Sequence, residues 1–532
     1  MKKMLSLLLA LSLLVALCVG CSGKDQPTTP AKDSSADAQP DSMAPTIEPD
    51  TQTAYKTKVR VGTVSDMPST CPYGNTSSQT AMTTNSTFDG LVRIDASGEA
   101  KEALATEWSS NDDSTVWTFK LRQGVTFHNG DSLTSRDVKF TWEFAGDSSN
   151  EGIGKAAVGI DLIDSIETPD DYTVIFNLKF NTPDWLLYAA QKIMSQNAVE
   201  TLGLTEGGGI GTGPYYFDSQ KTGESWTIRR YDKYWGEKAL TEEIEFIVIT
   251  DANSRALTLR AGDVDAVCEP SSADVVSFIA DGGYNVFKER TVATAFLGFN
   301  HTDGKVTGDE VVRRAVAMAI NRDDIIASCY EDGICGTASY NIITSVQAGF
   351  ADVGHYDYDP EGAKQLLADN GYENLTLNLT AHAMYIPVAE VIQADLSLAG
   401  ITVNIREIAQ ANYAKNLMAD PDAYDIYIAA SSSTGGVLNV LDRFFKSDGI
   451  ANCMFYNDPT FDSMLADAKQ CTTYEELITT CGELQRYIAE DSIPYTSLVD
   501  RYHFCVGSQN FYGVELMNQA YDTNFSYCYV VE

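Results

Sequence analysis

Leu375-Thr376-Leu377-Asn378-Leu379-Thr380, then Val388, Val391, Ile392, Leu396 and Ala399, then Gly400-Ile401-Thr402-Val403-Asn404-Ile405-Arg406, form the stretch that decides the fold class. The first part alternates apolar and polar residues with period two, as a half-buried strand does. The middle part repeats apolar residues at helical spacing, and Gly400 ends it. Alternation then resumes. Strand, helix and strand within about 30 residues predict a right-handed βαβ crossover, so the second half of the body is an α/β lobe.

Residues 424–429 read as a further strand of the same lobe. In open α/β sheets a ligand sits outside the carboxyl ends of the strands. Two loops leave such ends: Ala381-His382-Ala383-Met384-Tyr385 and Ser431-Ser432-Ser433-Thr434-Gly435-Gly436. The second is small and rich in hydroxyls, so it brings backbone N–H groups and hydroxyls close to a ligand. The candidate binding residues are therefore His382, Tyr385, Ser431, Ser432, Ser433 and Thr434. A plain turn and a cap on the sheet are the bland alternatives for these two loops.

Working back toward the N-terminus, Asp359-Pro360-Glu361 reads as an N-cap, a first-turn Pro and an acidic first turn. That helix stops at Asn370-Gly371. Val311, Val312, Ala315, Val316, Ala319 and Ile320 make one apolar helical stripe, with Arg313 and Arg314 off its centre and expected in solvent. Residues 244–249 read as a strand apolar on both faces. Trp117, Phe119 and Leu121, and Tyr172, Val174, Phe176 and Leu178, alternate as half-buried strands, and Val59, Val61 and Val64 mark a first one.

The chain has 532 residues, 37 Lys+Arg and 74 Asp+Glu, for a formal net charge of -37. A single core rarely grows past about 250–300 residues, so two or more lobes are expected. Apolar residues are 44% and charged residues 21%, an ordinary globular balance that excludes wholesale disorder and a polytopic membrane protein. The acidity argues against nucleic-acid binding, which needs a basic surface.

Met1-Lys2-Lys3-Met4 is a basic start, and residues 5–20 are an apolar run, shorter than a comfortable membrane span. Residues 1–20 read as a secretory signal. Cys18-Val19-Gly20-Cys21 at its end resembles a bacterial lipoprotein box, which implies cleavage before Cys21 and lipidation of its thiol. Residues 21–55 are then the lipidated Cys and a Ser/Thr/Pro/Asp-rich tether with no apolar period. Two or more acyl chains hold such a body stably at the outer face of the cell membrane. Without Cys18 and Cys21, nine of the 11 cysteines remain, an odd number. Cys329 with Cys335 and Cys471 with Cys481 are close enough in sequence to pair, and buried thiols throughout are equally open.

A series of colinear blocks carries a resemblance. Phe88-Asp89-Gly90-Leu91-Val92 opens it. Residues 104–108 (LATEW), 117–130 (WTFKLRQGVTFHNG) and 133–138 (LTSRDV) follow. Asp170-Asp171-Tyr172, Gly211-Thr212-Gly213-Pro214-Tyr215, Tyr231-Asp232-Lys233-Tyr234-Trp235-Gly236 and Gly262-Asp263-Val264-Asp265 come next, and Val312-Arg313-Arg314-Ala315, Ala319-Ile320-Asn321-Arg322 and residues 359–367 continue them. Together they resemble the family 5 extracellular solute-binding proteins, the peptide- and nickel-binding components of ABC importers. The resemblance implies an α/β, two-lobed fold of the periplasmic-binding-protein type II, in its large class with an extra subdomain, with mixed sheets and a hinge of two crossing strands. Lobe I would cover 56–98, 205–295 and 497–532, the extra subdomain 99–204 and lobe II 296–496. Arg122, His128 and Asp137 are expected to fix strand and turn geometry.

The implied function is capture of short peptides between the lobes and delivery to an ABC permease, with a nickel–chelator complex or another small solute as the alternative. Many peptide binders of the family hold the peptide's amino group with an Asp after the strand at 424–429. Here Ser431 to Gly436 stand there, with no Asp until Asp442. No cofactor, metal site or catalytic residue is expected, and a monomer is. No H-E-x-x-H, G-x-S-x-G or Walker A pattern appears. The run Gly207-Gly208-Gly209-Ile210-Gly211-Thr212-Gly213 lacks GK[ST] and reads as a flexible approach to a strand.

Overall fold

The alternation around Leu377 folds into the strand Thr376–Ala381 and that around Val403 into Thr402–Glu407. They pair in parallel, Leu377 opposite Val403 and Leu379 opposite Ile405. The helix Ile386–Leu398 crosses between them and buries Val388, Ile392 and Leu396. The strand Ile426–Ser431 joins the other edge, again in parallel. The computed structural model of the chain describes residues 53–74, 77–95, 98–147, 159–431, 436–517 and 523–532. The signal, Cys21 and nearly all of the tether lie outside the described residues, as do Ser432, Ser433 and Thr434. Among the described residues no helix is long and apolar enough to cross a membrane.

These strands belong to one 11-stranded sheet. Its order is Thr402–Glu407, Thr376–Ala381, Ile426–Ser431, Tyr284–Phe299, Tyr495–Ser508, Ala266–Cys268, Lys58–Thr63, Glu243–Val248, Ser225–Arg230 and Tyr215–Lys221, with Gly336–Ala338 paired to Tyr495–Ser508 off this path. The two long central strands are antiparallel and serve both halves. Residues 284–290 lie opposite 502–508, next to Ala266–Cys268, whereas 294–299 lie beside Ile426–Ser431. Between Arg290 and Thr294 the register shifts, and Thr291, Val292 and Ala293 bulge. A bulge bends and twists a ladder, so this is where the pair passes from one half to the other.

The bulge is held by its own polar groups. The Thr294 hydroxyl donates to Asp500 Oδ1 at 2.6 Å, and the Thr291 hydroxyl to the Arg501 carbonyl at 3.2 Å. Arg290 Nη1 lies 3.9 Å from Asp500 Oδ2 and also donates to the Ser345 hydroxyl, on a loop of the second half.

A four-stranded antiparallel sheet stands apart from the main one, in the order Ala105–Ser110, Val116–Leu121, Thr173–Leu178 and Ile163–Asp170. Its core gathers Trp117, Phe119, Phe176, Trp142 and Trp185. Trp142 sits 4.9 Å from Phe176, edge to face. Asp137 closes a capping box with Thr134 and also accepts from the Gln196 N–H at 3.0 Å. Arg122 Nε donates to the Ala103 carbonyl at 3.1 Å. His128 accepts from the Gly211 N–H at Nδ1 and bonds the Gly213 carbonyl at Nε2, 3.0 Å away. All three residues fix strand and turn geometry.

Three local expectations are corrected. Arg313 is buried, not solvated. Its guanidinium donates to the carbonyls of Ile493, Thr307, Gly308 and Ser492, which are the orphan acceptors of neighbouring loops. Arg314 alone faces water. The strand Glu243–Val248 buries Ile244 and Phe246, while Ile247 and Val248 are only half-buried. The glycine run is a close approach of two backbones rather than a loose lead-in. A Cβ on Gly211 would stand 2.1 Å from the Thr87 carbonyl oxygen.

Candidate functional site: a cleft between the two halves

Three of the quoted sequence blocks, far apart in the chain, converge on Asp89. Its carboxylate accepts from Trp235 Nε1 at 2.9 Å, from the Thr212 hydroxyl at 3.0 Å and from the Tyr234 hydroxyl at 3.1 Å. Burial pushes this carboxyl above its ordinary range, and the three donors pull it back. Its neighbour Gly90 has no room for a side chain, because a Cβ would lie 2.4 Å from the Ala190 carbonyl oxygen. The knot therefore locks Phe88–Asp89–Gly90 against Tyr234–Trp235 and sets one wall of a cleft.

That cleft holds about 470 Å³, within the range of small-ligand sites. Its first wall carries Asn85, from the end of the helix Ser78–Thr87, and Arg93, from the strand Val92–Ile94. The opposite wall is Val346, Gln347, Ala348 and Gly436. Val292, from the bulge of the long strand, lines it too. The site thus draws on both halves and on the crossover between them.

Two features of this lining bear on chemistry. Asn85 Nδ2 and Gln347 Nε2 are buried side-chain donors with no protein acceptor among the described residues, one on each wall. A buried polar group without a partner costs about 1–3 kcal/mol, so such donors call for an acceptor, supplied by ordered water or by a guest. Charge of both signs is also present, with Arg93 and Lys192 set among Asp95, Glu102 and Glu237. Among the described residues no cluster of three or more His, Cys, Asp or Glu could hold a metal ion.

The residues expected from the two strand-end loops fall differently. His382 and Tyr385 come together, ring centroids 4.8 Å apart, and Tyr413 closes on His382 at 5.1 Å. Both are buried beside the βαβ core, and neither is among the residues lining the cleft. Burial and the Arg501 charge push His382 below its usual range. Ser431 is buried and donates to the Ile342 carbonyl at 3.0 Å, also away from the lining. The loop it starts reaches the cleft at Gly436, and Ser432, Ser433 and Thr434 lie outside the described residues. Asp442 is paired with Lys469. Asn85, Arg93, Val292 and Gln347 escaped the sequence reading, because no spacing or motif distinguishes a cleft amide from a surface one.

Comparison with known proteins identifies the family and the fold. Residues 99–452 match the family of bacterial extracellular solute-binding proteins, family 5 Middle. Heme-binding protein A of Haemophilus influenzae is 27% identical, over 71% of this chain and 75% of its own. Probable di/tripeptide-binding protein 5 of Pseudomonas aeruginosa is 27% identical, over 77% and 85%. The fold matches that of the ABC transporter-associated periplasmic binding protein DppA from Helicobacter pylori in complex with peptide STSA, with a TM-score of 0.73, 24% identity, and 90% of this chain and 98% of that one covered. The α/β fold is thus the two-lobed periplasmic-binding-protein type. The chain belongs to the family 5 bacterial extracellular solute-binding proteins, the substrate-binding components of ABC importers.

Proposed function

We propose that this protein captures short peptides in the cleft between its halves and delivers them, unchanged, to an ABC permease. The observation that carries the reading is the pair of unpartnered amide donors, Asn85 Nδ2 and Gln347 Nε2, on opposite walls. A peptide presents backbone carbonyls and a carboxylate to such donors, and its two charged ends suit a lining that carries both signs. The di/tripeptide-binding relative supports the ligand class. Binding across both walls favours the closed arrangement, and closure is the signal a permease reads.

The proposed division follows the expectation from sequence: lobe I as 56–98, 205–295 and 497–532, an extra subdomain at 99–204, and lobe II as 296–496, with bending centred on Thr291–Ala293. The body is a monomer tethered at the outer membrane face through lipid on Cys21. Calorimetric titration with a di- and tripeptide library tests the ligand class. Binding stabilises the fold by about 2.7 kcal/mol at 100 Kd, and Asn85→Ala or Gln347→Ala weakens binding about tenfold. A library without any binder refutes the peptide reading. Cys21→Ser that still fractionates with membranes refutes the anchor.

A further inference from the structure

Strand register brings thiols together far from the cleft. Cys268 ends the strand Ala266–Cys268 and stands directly opposite Cys505 on the antiparallel strand Tyr495–Ser508. On its other side Cys505 faces Phe287. Side chains alternate between the faces of a sheet. Val267, Val506 and Val286 accordingly join the apolar cluster around Phe278 on one face. Cys268, Cys505 and Phe287 join the cluster around Phe246 on the other. The two thiols point the same way and are in side-chain contact. Cys528 belongs to the same cluster, and all three are at most 1% exposed.

Directly opposed residues of an antiparallel pair have Cα atoms about 4.5 or 5.5 Å apart, according to the kind of pair. A disulfide spans about 4.4–6.8 Å between Cα atoms, so either kind suits it. The family is extracellular, where disulfides form and persist. We propose that Cys268 and Cys505 are a modification site, oxidised to a cross-strand disulfide as the chain folds outside the cytoplasm, with Cys528 remaining a buried thiol.

The oxidant is an external disulfide, small or protein-borne. The Cys505 thiolate attacks it and releases one thiol; the Cys268 thiolate then attacks the Cys505 sulfur of the mixed disulfide and releases the second. Two cysteine thiols lose two electrons and two protons, and one external disulfide becomes two thiols. The hydrogen bond with Cys505, together with burial, holds the Cys268 thiol protonated in the folded state, so exchange belongs to the folding chain, and the finished bond is shielded from reductants. The bond closes a loop that holds the whole second half and roots a crossing strand in the first half's sheet. Closing so long a loop restricts the unfolded chain, and stability follows.

The test refolds the full reduced chain in a mixture of reduced and oxidised glutathione, alkylates free thiols in denaturant, and maps a non-reducing digest by mass spectrometry. The expected result is a linked peptide pair carrying Cys268 and Cys505, with both absent from the alkylated set. Reduction then lowers the thermal midpoint of the wild type but not of Cys268→Ala. If that variant does not fold, the wild-type map decides alone. Alkylation of both Cys268 and Cys505 overturns the proposal, and so does a link from Cys505 to Cys528.

Discussion

The Ser114 hydroxyl donates to the backbone carbonyl of Thr472 at 2.9 Å, joining the four-stranded unit to residues 358 positions away. Asn181 Nδ2 adds a second bond of the same kind, to the Gln470 carbonyl at 3.0 Å. Both end at the loop before the helix Tyr474–Arg486, on the second half of the chain. Leu187 and Gly436, both in the cleft lining, also approach each other between these two parts, Leu187 Cδ1 standing 3.0 Å from where a Cβ of Gly436 would sit.

Opening of the proposed hinge is expected to break both bonds. A net hydrogen bond contributes about 1 kcal/mol, so the double variant Ser114→Ala, Asn181→Ala releases bound peptide on the order of tenfold faster. Stopped-flow displacement measures this. An unchanged dissociation rate shows that the two bonds persist in the open form.

Asp184 sits on the same seam, its Oδ2 3.3 Å from where a Cβ of Gly436 would stand. Burial pushes its carboxyl up to about 6 from 3.8. The folded state therefore prefers the protonated acid. That contribution is fully present below about pH 3.8 and is lost as pH rises through 6. Asp184→Asn keeps the shape and removes the charge. It is expected to be more stable than wild type at pH 7.5, by up to roughly 3 kcal/mol, and little different at pH 4. Urea unfolding at both pH values checks this, and an equal difference at the two refutes it.

The buried histidines act in the opposite direction. Desolvation lowers His128, His301 and His503 to about 4 from 6.5. Each is neutral in the fold, whereas the unfolded chain takes up its protons below 6.5. Stability is thus present above pH 6.5 and falls between 6.5 and 4, by up to roughly 3 kcal/mol for His503. His503→Gln should flatten this arm of a thermal-midpoint profile against pH. A slope as steep as that of wild type shows that the other groups carry it.

Arg313→Met leaves the carbonyls of Ile493, Thr307, Gly308 and Ser492 without their donor. The expected loss is about 3–5 kcal/mol in chemical denaturation. Arg313→Lys restores little of it, because an ammonium lacks the planar fork that reaches several acceptors. A lysine variant as stable as wild type rules out the fork as the cause.

Much of the fold was legible because its causes are local. Period-two runs around Leu377, Val403 and Phe119 became strands, and Asp359 caps the helix Pro360–Asp369 by accepting from the Gly362 N–H at 2.8 Å. Arg313 was misread because helical spacing marks it as peripheral to the stripe, while its partners lie on loops that only packing brings near. His382 and Tyr385 follow a strand's carboxyl end as expected, yet their rings meet each other, His382 also meets Tyr413 edge to face, and Tyr385 packs into the βαβ core.

The sequence by itself determined the βαβ unit, the two-lobed class and the family, since periodicity, caps and colinear blocks are written in neighbouring residues. Tertiary structure alone decided the cleft. Asn85, Arg93, Val292 and Gln347 meet only once a bulged strand pair folds the halves onto each other, and Asp89 gathers its donors from more than a hundred positions away. The physical reason is that strand and helix periods are set by covalent neighbours. A binding wall is set by which distant surfaces can be buried together.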